Sequence, residues 1–166
     1  MIKIGKHKIG KSNPIYVIAE IGINHNGDMK LVQKLIDEAH LAGANAVKFQ
    51  KRTPQICVPE EQKSIERDTP WGRISYLEYR EKIELSSDDY IFIDKYCKKK
   101  GIDWFASCWD LDSLKFIKYF NPVAYKIASA SLTDNILLKE HSKLKEAIIL
   151  STGMSTMKEI KKAEEI

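Results

Sequence analysis

The chain has 166 residues, 43% of them hydrophobic, and a net charge of +4 from 27 basic and 23 acidic residues. That composition fits one domain with its own core rather than a disordered segment, and the basic surplus is spread through mixed-sign stretches, which argues against nucleic acid as a partner. The N-terminus lacks an apolar signal core and no run reaches membrane-spanning length, so the expected home is the cytoplasm, with no membrane partner.

Ile2 to Ile9 alternates weakly and reads as a short N-terminal hairpin. Within it, Gly5 to Ser12 matches the phosphate-loop pattern of Gly, four residues, Gly-Lys-Ser. That motif works only when a helix follows and turns its N-terminal amides toward the phosphate; here Asn13-Pro14 and then a strand follow, so we read no nucleotide site.

The first main strand is the apolar run from Tyr16, leaving through Gly22-Ile23-Asn24-His25-Asn26-Gly27. Glu20 is out of place in it. A carboxylate in an apolar strand is costly unless paired, so it is either a satisfied structural acid or a working group at the strand's C-terminal end. His25 is either a site residue or a loop-ordering hydrogen-bonding group. Leu31, Val32, Leu35, Ile36 and Ala39 recur at helical spacing, and Gly43 stops that helix. Strand two, Ala46 to Gln50, embeds Lys48 as strand one embeds Glu20.

Lys51 to Ser75 is long and polar, with Pro54, Pro59 and Pro70. A connection of this length is an ordered functional loop or a linker. Thr69-Pro70-Trp71-Gly72 favours the former, with Trp71 over the site. Tyr76 to Glu84 is a short helical pattern. Ser87 to Lys100 is a clear helix, acidic in its first turn, lysine-rich in its last and closed by Gly101. Strand three is Asp103 to Cys108, helix three Leu111 to Phe120 behind Asp110, strand four Ala124 to Ser129, the next helix Leu132 to Lys143 and strand five Ala147 to Gly153. Thr156-Met157-Lys158-Glu159 is a capping box that starts a last helix. Cys57, Cys97 and Cys108 lack metal-type spacing and fit free thiols in a reducing compartment.

Strands alternating with helices make an α/β fold with a parallel sheet and right-handed crossovers. Eight such units close a TIM-type (β/α)₈ barrel; the five here read as its first five βα units, with a five-stranded doubly wound sheet as the alternative. Residues 1–166 are therefore expected to form the N-terminal portion of a barrel domain, without its later strands. Glu20, Lys48, Ser107, Lys126, Ser129 and Ser151 all sit near strand ends, the edge where barrels carry chemistry. Ammonium and hydroxyl donors together suit phosphate or carboxylate oxygens. Each lysine alone also reads as a snorkelling rim residue, and Lys126 as a Schiff-base nucleophile.

Ala19 to Gly27, Val47-Lys48-Phe49-Gln50, Tyr125-Lys126-Ile127-Ala128-Ser129 and Ile149 to Met154, in this order and spacing, resemble the sialic acid synthase family over nearly the whole chain. The segment Thr69-Pro70-Trp71-Gly72 with Tyr76, Tyr79 and Arg80 looks like one branch of it. The resemblance implies condensation of phosphoenolpyruvate with an N-acylhexosamine such as N-acetylmannosamine, or its 6-phosphate, to a nine-carbon 2-keto sugar acid and phosphate. Carried over by position, Lys48, Lys126, Ser129 and Ser151 would grip phosphoenolpyruvate and Glu20 would face the sugar or the attacking water. It also implies a divalent ion, Mn²⁺ or Mg²⁺, whose histidine ligands none of His7, His25, His40 or His141 matches, and a homodimer.

Two departures stand out. Ser131 occupies the place of an acid common after the Lys-Ile-x-Ser motif, and Ser107-Cys108-Trp109 replaces the usual Ser-Thr-Pro. The expected outcome is a synthase whose 166-residue portion is nearly inactive alone, the alternatives being a Schiff-base aldolase using Lys126 and a non-catalytic half-barrel that pairs across its open edges.

Overall fold

Alternation within each strand divides one sheet into two faces. A computed structural model describes residues 2–166 and shows five parallel strands: β3 (Ile18–Gly22), β4 (Ala46–Lys51), β7 (Asp103–Cys108), β8 (Ala124–Ile127) and β9 (Ala147–Leu150), hydrogen-bonded in that order. Neighbours in sequence are neighbours in space, as the first five βα units of a barrel require. On the outer face Val47, Phe49, Trp104, Ala106 and Tyr125 pack under α1 (Met29–Leu41) and α5 (Ser87–Lys100), through Val32, Ile36, Tyr90 and Ile93. On the inner face Ala46, Phe105 and Ala124 form a second apolar layer near the strands' N-terminal ends.

The expected hairpin is present, β1 (Ile2–Ile4) against β2 (His7–Ile9), and Ile4 and Ile9 lie against that inner layer. It covers apolar surface that the sheet would otherwise leave bare. The hydroxyl of Tyr16 donates to Asp103 Oδ2 at 2.8 Å beside it. Gly5 to Ser12 thus belongs largely to a hairpin and its exit, and no helix follows it.

Capping chemistry sets the helix ends. Asp28 accepts from the Lys30 N–H at 2.7 Å at the start of α1. Ser86 and Asp89 form a capping box on α5, which Gly101 closes in the left-handed region. Thr156 and Glu159 form the expected box on α8 (Met157–Glu164). Gly27 is required sterically: with φ +73°, an added Cβ would lie 2.4 Å from the Lys82 carbonyl oxygen, where α4 (Tyr76–Ile83) ends.

Three details differ from the sequence reading. The polar stretch 51–75 is neither linker nor plain loop: it holds two single turns, α2 (Pro54–Cys57) and α3 (Glu60–Lys63), and an antiparallel hairpin, β5 (Glu66–Thr69) with β6 (Gly72–Ser75). Its strands lack apolar alternation; the Glu66–Arg73 pair at 3.0 Å and the Arg67 guanidinium over Tyr76 at 3.7 Å help hold it instead. Helix α6 (Leu111–Lys118) stops two residues short of Phe120. The helix expected from Leu132 starts three residues later, as α7 (Asn135–Ser142), because the Asp134 side chain caps the N–H groups of Ile136 and Leu137, and strand four ends at Ile127, with Ser129–Ser131 forming a 3₁₀ turn.

Candidate functional site

Period-two geometry puts Lys48 on the inner face, above the apolar layer, with Phe49 on the outer. Its register partners are Glu20 on β3 and Phe105 on β7, and its stem carries the ammonium toward Ser107. Lys48 Nζ meets Glu20 Oε1 at 2.9 Å, donates to Ser107 Oγ at 2.8 Å and to the Phe49 carbonyl oxygen at 3.4 Å. All three ammonium hydrogens are thereby matched, and the residue is only 4% exposed. Glu20 differs: 56% of its side chain is exposed, so it reaches from solvent to cover a buried charge.

Lys126 is the register partner of Ser107 on the neighbouring strand. No ion pair or side-chain hydrogen bond engages its half-buried ammonium among the described residues. Burial holds it below the usual lysine range, the Lys48 charge pushes the same way, and Glu20 opposes them. The two lysines therefore share one face, one neutralised by Glu20 and the other not.

Loops complete the rim. The Ser151 N–H donates to the Ile127 carbonyl at 3.1 Å, joining the ends of β8 and β9. Ser129 opens the 3₁₀ turn beside Gly153, where an added Cβ would lie 3.6 Å from its hydroxyl. Met154, 89% exposed, holds φ +62° in that loop, a conformation unusual for a residue with a side chain. Ser131, in the acid's place, is buried.

Two expected site residues are placed elsewhere. His25 is 1% exposed, its Nδ1 accepts from the Gly27 N–H at 3.0 Å, and its ring lies against Phe49 of the outer layer. It orders the loop, and burial lowers its pKa. Trp71 sits in the β5–β6 turn against Tyr79, 41% exposed, and takes no part in the contacts joining Glu20, Lys48 and Ser107. The expected pocket is instead an open face: β3 and β9 do not pair with one another, so the sheet does not close around it. A depression of about 340 Å³ lies away from it, lined by Met29, Gln33 and Phe92.

The inner face also carries residues the sequence reading did not single out. Gln50 is the register partner of Ser107, and its side-chain nitrogen lies 3.4 Å from where Gly22 would carry a Cβ; that same point is 3.0 Å from Glu20 Oε1. Gly22, at φ +59°, allows the two side chains to share the rim. Arg52 follows at once, 5% exposed, donating to Gln50 Oε1 and stacked 4.0 Å from the Trp109 ring. The signal for it was a second basic residue immediately beyond Lys51 at a strand end.

No helix of the described residues is long and apolar enough to cross a membrane. No group of three His, Cys, Asp or Glu side chains among them is placed to hold a metal ion.

Comparison with known proteins joins these observations. The model of the NeuB family matches residues 35–166. The N-acetylneuraminate-9-phosphate synthase of Drosophila melanogaster is 36% identical over 152 residues, which cover 89% of this chain and 40% of the fly protein. The N,N'-diacetyllegionaminic acid synthase of Campylobacter jejuni is 35% identical over 149 residues, covering 89% of this chain and 45% of its own. Among solved structures, the N-acetylneuraminic acid (sialic acid) synthetase of Leptospira borgpetersenii, in complex with citrate, superposes with a TM-score of 0.87 at 30% identity, over 99% of this chain and 53% of that one. The chain thus spans about half the length of the relatives it matches. Its five-stranded sheet is the corresponding part of a TIM-type barrel, and by sequence and by fold the chain belongs to the NeuB family of sialic acid synthases.

Proposed function

We propose that the inner face of β3, β4, β7 and β8 binds phosphoenolpyruvate, for condensation with an N-acylhexosamine, N-acetylmannosamine-like or its 6-phosphate, to a nine-carbon 2-keto sugar acid and phosphate. The observation that carries it is a pair of lysines on one face, Lys48 matched and Lys126 unmatched. An uncompensated half-buried ammonium favours an anion beside it. Phosphoenolpyruvate brings two anionic groups, one for Lys126 and one to displace the exposed Glu20 carboxylate from Lys48.

In the condensation, the enol carbon of phosphoenolpyruvate attacks the open-chain aldehyde, forming the carbon–carbon bond. Water adds to the resulting cation and phosphate leaves by C–O cleavage. The lysines and Ser107 hold the phosphate and carboxylate as charge moves; Ser129 and Ser151 supply hydroxyl donors from the adjoining loops. Glu20, freed from Lys48 and already half in solvent, is positioned to face the sugar or orient the water. A divalent Mn²⁺ or Mg²⁺ ion belongs to the proposal only with ligands from outside the described residues, which do not fit it, and no step here runs through it. A homodimer belongs to it as well, as the resemblance to the family implies.

The test is phosphate release by a protein spanning the relatives' full length. Release from phosphoenolpyruvate should require both an N-acylmannosamine-type sugar and the divalent ion, and the 166-residue chain should bind phosphoenolpyruvate while turning over almost none. Release without sugar, or turnover by the short chain without metal, would overturn the proposal. The lowered pKa of Lys126 favours one second reading, a Schiff-base aldolase, because a lysine held low is a better nucleophile. Borohydride treatment with pyruvate should leave Lys126 unmodified under the condensation and label it under the aldolase.

A further inference from the structure

The N-terminal hairpin and its exit hold the chain's excess of positive charge. No acid precedes Glu20, whereas Lys3, Lys6, Lys8 and Lys11 do, and those four equal the net charge of +4. The surplus is thus concentrated here rather than spread through mixed-sign stretches, as the sequence reading has it. All four lysines are exposed, and none makes an ion pair among the described residues. The lysine-dense end of α5 is different: Lys98 and Lys100 meet Asp94 and Asp37, each at 2.7 Å. In the hairpin register Lys3 stands directly opposite Lys8, a pairing of like charges that is unfavourable by itself.

Beside the hairpin turn, where the chain enters β3 and β4, lies a cavity of about 290 Å³. That is close to the size, about 300 Å³, at which cavities begin to hold small molecules. Lys6 and Lys8 line it together with His7, Asn13, Tyr16 and Asn45, and no acid does. Asp103, beside them, is already engaged: the Tyr16 hydroxyl donates to its Oδ2 at 2.8 Å, and His7 Nε2 lies 3.9 Å from the same oxygen. The Asn45 side-chain oxygen accepts from the Val17 N–H at 2.7 Å, which leaves the N–H groups of its amide as donors. Pro14 and Ile15 add apolar wall, and Ile15 is 86% exposed. Tyr16 and Asn45 precede β3 and β4, so this cavity is at the opposite strand ends from Ser129 and Ser151.

We infer that the cavity is an anion site apart from the lysine face, which takes a phosphate monoester with an apolar body. Such an ester carries close to two negative charges at neutral pH, one for each of Lys6 and Lys8, where a single carboxylate would leave one ammonium unmatched. Its oxygens accept from the amides, and its body covers Pro14 and Ile15. Gly5 to Ser12 lacks the helix whose N-terminal amides would hold a phosphate, so side chains do that work here. Bound there, the ester ties the hairpin turn to the entries of β3 and β4 and fastens the cover that Ile4 and Ile9 place over the inner apolar layer. The inference does not rest on the proposed condensation.

The test follows the side-chain amides of Asn13 and Asn45 and the ring of His7 by NMR while the chain is titrated separately with phenyl phosphate, benzoate, phenol and inorganic phosphate. These resonances should move most with phenyl phosphate, less with inorganic phosphate and benzoate, and not with phenol. Lys6→Gln and Lys8→Gln should each weaken phenyl phosphate binding by about two- to fivefold, the scale of an exposed ion pair, and together by more. Lys98→Gln with Lys99→Gln should leave it unchanged, which separates a built site from general positive charge. Lys48→Met should leave the shifts at His7 and Asn45 unchanged, so a failure of the lysine face is read separately. Phosphatidylserine vesicles distinguish a lipid headgroup from a free ester, and the chain should not sediment with them. Benzoate or inorganic phosphate binding as tightly as phenyl phosphate, no movement at Asn13, Asn45 and His7, an indifferent Lys6→Gln/Lys8→Gln double variant, equal weakening by the α5 substitutions, or sedimentation with vesicles in place of ester binding would each overturn the inference.

Discussion

On β4, neighbouring residues do opposite jobs. Val47 and Phe49 face outward into the layer under α1 and α5, fully buried, and their neighbours there are apolar. Lys48 and Gln50 face inward, where every close partner named above is polar: Glu20, Ser107 and Arg52. The outer side earns stability by removing hydrocarbon from water. The inner side does the same near the strands' N-terminal ends, through Ala46, Phe105 and Ala124, but above that layer it keeps a charge dry by matching each of its hydrogens, an arrangement that an incoming anion can take over. Stability and binding are thus separated by a single residue step along the same strand.

The largest effect should come from the outer side. Phe49→Ala removes a ring in edge contact with Tyr90 and Trp104, and urea denaturation should show a loss of about 3–5 kcal/mol. A loss below about 1 kcal/mol would mean that the core does not depend on this face. On the inner side, Lys48→Met keeps most of the stem and removes the charge. Calorimetric titration should show phosphoenolpyruvate affinity falling about 10- to 100-fold, with stability changed far less than by Phe49→Ala. Equal losses of stability at both positions would erase the distinction.

The buried histidines extend the contrast to pH. His25 and His141 have pKa values lowered from 6.5, chiefly by burial, so the unfolded chain binds more protons than the folded one as pH falls through that range. Stability should therefore be fully present above pH 6.5 and fall as the pH drops toward the depressed folded-state values. His25→Gln should flatten that slope in denaturation curves taken between pH 7 and pH 5, and an unchanged slope would remove His25 as a contributor. The smallest effect concerns Glu20, whose exposed carboxylate competes with a ligand anion for Lys48. Glu20→Gln should tighten phosphoenolpyruvate binding by about two- to fivefold, the scale of an exposed ion pair, and weaker binding would mean that Glu20 assists the ligand instead.

Much of this was legible residue by residue. Short apolar runs bounded by turn-forming residues marked the five strands, and apolar stripes at helical spacing marked the main helices, because burial selects both patterns. Glu20, Lys48 and Lys126 stood out as charges in apolar company, a pattern that local chemistry alone makes costly. The β5–β6 hairpin was not legible, since salt bridges and cation–π contacts between residues several positions apart support it and no apolar alternation marks it. Nor was the division among the histidines: Asn-His-Asn reads equally as site or scaffold until the Phe49 ring and the Gly27 N–H are found around it.

By itself, then, the amino-acid order determined the βα repeat, the capped helix ends and the presence of charges at the strand ends, all of which rest on interactions within a few residues. Tertiary structure alone decided that Lys48 is matched and Lys126 is not, that Gly22 brings Glu20 and Gln50 together, and that Arg52 stacks on Trp109. Those outcomes depend on register between strands and on distances across the fold, which no local pattern encodes.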